Sequence, residues 1–95
     1  VIDYRPFTVV NLTLSSIVDT EIVFQHPVCA VMIQNRGDAD LYLRESEDAA
    51  DYITIAAGTQ KSFDFAKFAH VQFIGWLRAA TGTGPAEIIG VRVGA

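Results

Sequence analysis

The chain has one cysteine, Cys29, in 95 residues, so no disulfide can form within it. The fold therefore does not depend on an oxidising compartment. Cys29 lies in an apolar stretch with no local base or cation to activate it, and it reads as a buried, inert thiol. Histidine is almost as scarce. His26 and His70 are the only two, and neither has a Cys or His at ligand spacing, so a zinc site would have to be assembled from distant residues. Basic residues number seven, spread from Arg5 to Arg92 without clustering, against eleven acidic ones, for a formal net charge of −4. Nucleic acid or an anionic membrane surface wants a basic stripe that releases counterions, and neither is expected as a partner. Apolar runs stop well short of the roughly 20 residues that span a bilayer. Residues 1–30 lack a basic start followed by an apolar stretch and a small-residue cleavage site, so no signal peptide is expected.

What the chain has in quantity is apolar side chains: 51% of residues are hydrophobic and 19% charged. Ninety-five residues make one domain, 1–95, because a second would be too small to bury a core. A domain of this size buries only roughly 60–65% of the surface its unfolded chain exposes. With no disulfide or evident metal to help, association is the remaining means of covering apolar surface. A homo-oligomer, or a subunit docked in many copies on a larger particle, is expected.

Short β-strand signals separated by turn residues run along the chain. Phe7 to Leu14 is dense in Val, Thr and Leu, which suits a half-buried strand. Ser15 to Asp19 reads as a loop and Thr20 to Phe24 as a second strand. His26-Pro27 then punctuates the chain, since the residue before proline is pushed away from helix. Val28 to Asn35 is nearly continuous in apolar residues, so both of its faces are expected to be covered. Asn35-Arg36-Gly37-Asp38 is a turn by composition, with glycine available for a positive φ. In Leu41-Tyr42-Leu43-Arg44 the leucines should face in and Tyr42 and Arg44 out.

Residues 45–51 form the only acidic cluster, too short for a stable helix without docking. Strands resume at Tyr52–Ile55, Gln60–Phe65, Val71–Ala79 and Ala86–Val93. An aromatic bend at 63–71 is expected to cap one end, and Gly75 is a candidate bulge or close approach. Thr81-Gly82-Thr83-Gly84-Pro85 is the last hairpin turn. The expected fold is all-β: a small antiparallel β-sandwich, jelly-roll-like, of about eight strands.

Each pattern that hints at chemistry has a plainer account. Glu45, Glu47, Asp48 and Asp51 supply hard oxygen ligands, but the segment has alanines where a calcium loop needs alternating ligands and a glycine. A solvated loop is expected. No nucleophile elbow surrounds the serines and threonines. Gly82-Thr83-Gly84 lacks the lysine and following helix of a phosphate loop. Arg36-Gly37-Asp38 matches the integrin-binding tripeptide, yet a turn explains it without a receptor. Tyr4, Phe7, Tyr42, Tyr52 and Trp76 would make a sugar-stacking platform only if two or three rings shared an exposed face, and they lie on different strand segments. The expectation is a protein that is not an enzyme, with no cofactor, no metal and no small-molecule substrate.

Four pieces of the chain resemble the small β-sandwich structural domains of tailed-bacteriophage virions. They are Ile33-Gln34-Asn35 with Gly37 after it, Leu41-Tyr42-Leu43, Ile55-Ala56-Ala57-Gly58-Thr59, and Leu77 to Gly82 leading into Ile88-Ile89-Gly90-Val91. Together they span about two-thirds of the chain. The resemblance implies a capsid decoration (cement) protein that bridges copies of the phage major capsid protein on the capsid surface, assembled in the host cytoplasm. Tail, baseplate and head-fibre components carry similar domains. A carbohydrate-binding adhesion module is the alternative from another class.

The chain departs from that pattern in residues 1–7, ahead of the shared portion. There Ile2, Tyr4 and Phe7 alternate with Asp3 and Arg5, and Pro6 cannot donate to a ladder. The segment is either an extra edge strand of the same sandwich or a docking arm, and an extended arm of this composition presents apolar groups on one side. Ile2, Tyr4, Arg5 and Phe7 are therefore the candidate interface residues.

Overall fold

The computed structural model describes residues 7–65 and 72–92. Within them lie eight strands and no helix: β1 (Phe7–Ser15), β2 (Thr20–Val23), β3 (Val28–Asn35), β4 (Leu41–Arg44), β5 (Ile53–Ile55), β6 (Gln60–Asp64), β7 (Ile74–Ala79) and β8 (Thr83–Arg92). They form two four-stranded sheets, β1-β8-β3-β6 and β2-β7-β4-β5. Every pairing is antiparallel. The partners nest: β1 with β8, β2 with β7, β3 with β6 and β4 with β5. One long hairpin, folded at β4–β5 and wrapped so that alternate rungs fall in opposite sheets, yields this order. That is a jelly roll, the sandwich expected from the strand spacing.

Period-two alternation fills the space between the sheets. Val31 and Ile33 of β3, Leu41 and Leu43 of β4, Leu77 and Ala79 of β7, and Ala86 and Ile88 of β8 all point inward and are buried. Leu14, Ile22, Phe24, Val28 and Ile55 complete the core, with Val10, Leu12, Phe63, Phe65 and Phe73 packed against it. Tyr42 and Arg44 lie half-buried on the outer side of β4, as the alternation predicts. Of the aromatic bend, Phe63 and Phe65 pack on the core, while Lys67, Phe68 and His70 lie outside the described residues.

Four local expectations change. The last hairpin turn is shorter than its composition suggests, because β8 already begins at Thr83. Pro85 is tolerated inside that strand because the β3 ladder ends at Asn35 opposite Ala86. The Pro85 carbonyl accepts from Arg36 N at 3.1 Å, so its nitrogen also faces this side, just past the point where a ladder donor is required. Gly37 has no positive φ; its glycine is needed for close approach, since a Cβ there would lie 2.7 Å from Pro85 Cδ. Gly75 likewise is a point of close approach, beside Leu43 and Phe73, in an unbroken register with β2. The bulge falls instead between Val28 and Ala30. It leaves Cys29 half-buried rather than buried, its thiol 4.0 Å from the Arg92 carbonyl.

The fourth change concerns β3. Its inward side chains are buried, but Ala30, Met32 and Gln34 on the outer side are only half-buried. No described element covers them.

Candidate interaction surfaces

The two outer faces of the sandwich differ in chemistry. On β2-β7-β4-β5 a polar network is centred on Asp19, whose side chain is fully buried. Asp19 Oδ1 accepts from Arg44 Nη1 at 3.2 Å and from Arg78 Nε at 3.0 Å, and Oδ2 accepts from the Asp48 backbone N–H at 2.8 Å. Arg78 Nη2 also donates to Asp48 Oδ1 at 2.7 Å, and Arg44 Nε donates to the Ala49 carbonyl at 2.9 Å. The acidic loop is thereby tied to the sheet through two guanidinium groups. Asp48 is held with φ of 58°, a conformation that Asp tolerates better than most residues. Among the described residues no group of three metal-capable side chains comes together.

Beside this network lies an aromatic cluster. The Tyr42 and Tyr52 ring centroids are 4.3 Å apart at 40°, and the Arg44 guanidinium stands 4.9 Å from the Tyr52 ring centroid. Trp76 pairs with Arg44 across the β4–β7 ladder and with Glu21 across β2–β7. Three rings from separate strand segments therefore share one face, which their spacing in the chain did not suggest.

The outer face of β1-β8-β3-β6 is apolar over half its length. Its registers form rows across the sheet. Phe7 pairs with Val91, Val91 with Ala30, and Ala30 with Asp64; one step on, Val9 pairs with Ile89, Ile89 with Met32, and Met32 with Ser62. Phe7 is 61% and Val9 52% exposed. The next row, Asn11, Glu87, Gln34 and Gln60, is polar throughout. There Arg36 Nη2 meets Glu87 Oε2 at 3.1 Å.

Of the candidate arm residues, Ile2, Tyr4 and Arg5 lie outside the described residues. Phe7 is the first residue of β1 and stands at the corner of this apolar face. The partners that make the face, Val9, Met32, Ile89 and Val91, were not singled out from sequence. Their signal was adjacent apolar residues that break strict alternation, Val9-Val10, Ala30-Val31-Met32-Ile33 and Ile88-Ile89.

Two further features mark the surface of the described residues. At the β1–β2 corner Ile17 is 86% and Val18 53% exposed. A cleft of about 600 Å³ is lined by Leu43, Arg44, Tyr52, Ile53, Phe63 and Phe73.

The Arg36-Gly37-Asp38 turn is built from Asn35. Its buried amide donates to the Ala39 carbonyl at 2.8 Å and the Ile55 carbonyl at 2.9 Å, while Oδ1 accepts from Gly37 N at 3.0 Å. His26, in the β2–β3 connection, shares a 2.8 Å hydrogen bond through Nε2 with Thr8 Oγ1. Comparisons of the chain with protein-family models, with curated proteins and with solved structures found no match.

Proposed function

We propose that this chain is a non-enzymatic virion structural protein of a tailed bacteriophage, a decoration subunit that docks on the head surface and bridges neighbouring coat proteins. Its resemblance to β-sandwich virion domains supplies the particle. The observation that carries the docking role is the placement of polar and apolar groups. Among the described residues, Asp19 and Asn35, the polar residues that are buried, are each spent on several bonds internal to the fold, whereas large apolar side chains stand outside it.

Ile17 and Val18, at the tip of a tight corner, have the form of an anchor that fills a pocket on a partner. Apolar anchors of this kind contribute binding energy once a partner excludes water from them. Many identical copies on one particle multiply a modest contact, so each interface can be small.

The test is sedimentation of purified chain with heads that lack it. Wild-type protein should co-sediment in stoichiometric amounts. An Ile17→Asp/Val18→Asp variant with an unchanged melting temperature should stay in the supernatant. Wild-type protein that never pellets with heads overturns the decoration reading, and pelleting with isolated tails instead assigns it to a tail or baseplate.

The shared face of Tyr42, Tyr52 and Trp76 favours a second reading, a carbohydrate-binding adhesion module, because stacked sugars need neighbouring rings. Binding on a glycan array that is lost in Tyr52→Ala would establish it.

A further inference from the structure

We infer that the outer face of the β1-β8-β3-β6 sheet is a self-association surface, on which a second copy of this chain packs sheet against sheet. The inference concerns a different surface from the Ile17–Val18 corner and stands apart from the decoration reading.

The first argument is composition by position. Six outward side chains, Phe7, Val9, Ala30, Met32, Ile89 and Val91, lie in two adjacent rows on three neighbouring strands. Outward positions of a solvated antiparallel sheet are ordinarily polar. Here the polar ones are confined to the margins: Asn11, Glu87, Gln34 and Gln60 along one end, Ser62 and Asp64 on β6. An apolar centre with a polar rim is the anatomy of a protein interface.

Charge selects the occupant. A two-fold interface puts the same patch on both partners, so each charge must find its opposite within that patch. This face carries both halves of the Arg36–Glu87 pair at its polar end and Asp64 at its β6 margin, and its centre bears no charge. It offers no one-signed field for an oppositely charged partner, and it suits a copy of itself. The other sheet, with Glu21, Arg44 and Arg78 at outward positions, lacks such an uncharged centre.

Size fits as well. Three strands of eight to ten residues and one of five, about 4.8 Å apart and about 3.4 Å per residue, project on the order of 500 Å², or about 1,000 Å² over two partners, the lower end for a specific interface. Face-to-face packing of two sheets about 10 Å apart is the general geometry of β-sandwich interiors. A copy seated here would cover the outer side of β3, whose run of apolar residues is otherwise half solvated.

Analytical ultracentrifugation in reducing buffer, over a concentration series, tests the inference. Wild-type protein should show a reversible monomer–dimer equilibrium. Ile89→Lys should weaken it at least tenfold, since a lysine then stands at the centre of the contact. Should Ile89→Lys fail to fold, Val9→Lys on the edge strand β1 gives the same reading. Thr54→Lys, which adds the same charge to the outer face of the other sheet, should leave the equilibrium unchanged. A wild-type chain that stays monomeric up to about 1 mM, the range of negligible affinity, overturns the inference. So does an equally strong effect of Thr54→Lys. Particle binding separates the two proposals: a monomer that binds heads overturns only self-association, and a dimer that binds none overturns only the decoration reading.

Discussion

Arg78 on β7 reaches Asp19, 59 positions earlier in the chain, through a 3.0 Å hydrogen bond from Nε to a carboxylate with no solvent exposure. The pair joins the end of the β1–β2 corner to β7, and Arg44 and the Asp48 backbone N–H make the same carboxylate a four-residue junction. Removing the carboxylate takes the buried partner from two guanidinium groups, one of them 12% and the other 23% exposed in its side chain. Arg44 then keeps the Ala49 carbonyl and Arg78 the exposed Asp48 carboxylate. Asp19→Ala should therefore cost about 3 kcal/mol, the lower end for breaking a buried pair. Urea unfolding measures it. A cost under about 1 kcal/mol would place Asp19 with surface pairs and show that the corner holds without it.

Asn35 gives a more selective test. Its amide donates to two carbonyls, Ala39 and Ile55. Asn35→Asp keeps the shape but turns the donor into an acceptor facing two acceptors. An unmet buried polar group costs about 1–3 kcal/mol, more when charged, so Asn35→Asp should unfold at lower urea than Asn35→Ala. The reverse order would mean that the Arg36-Gly37-Asp38 turn does not depend on those donated bonds.

Chelator should not change thermal unfolding. Asp48, the central acid of the acidic loop, is occupied by Arg78 at 2.7 Å, and Asp19 holds the backbone beneath it. A divalent ion would have to displace these bonds. Melting curves with and without EDTA should superimpose. A fall of more than about 5 °C, roughly 1 kcal/mol for a domain this size, would reveal a cation in the loop.

What could be read from the chain divides by distance. The bounds of β3 were legible because Pro27 and the Asn35-Arg36-Gly37 turn punctuate it locally. The start of β8 was not, because Gly84-Pro85 looks like a turn to any local rule. Only the fold shows that Gly84 is a strand residue lying against Leu41 and Ala79, and that Pro85 sits past the last ladder bond it would have broken. The Asp19 junction was invisible for the same reason: its partners lie 25 and 59 positions away. In β3 the apolar run was correctly seen, but a run of this kind does not say whether the second covering layer belongs to its own chain or to a neighbour.

Gly90 and Phe24 offer the sharpest check on core packing. Gly90 is an inward position of β8, buried opposite the Phe24 ring. A Cβ there would come within 2.7 Å of Cε1 and 2.8 Å of Cζ. The ring is itself confined: Phe73 lies 6.2 Å from it and His26 6.4 Å, centroid to centroid. It has little room to yield, so the single methyl of Gly90→Ala acts as overpacking and should cost about 1–3 kcal/mol. Phe24→Leu alone should also destabilise, by opening a void. Combined, the two should cost less than the sum of the singles, because the smaller side chain vacates the space that the new methyl needs. A double-mutant cycle by urea unfolding reads the coupling. Strict additivity, or a Gly90→Ala variant as stable as wild type, would show that the ring moves aside freely and that Gly90 is not required by Phe24.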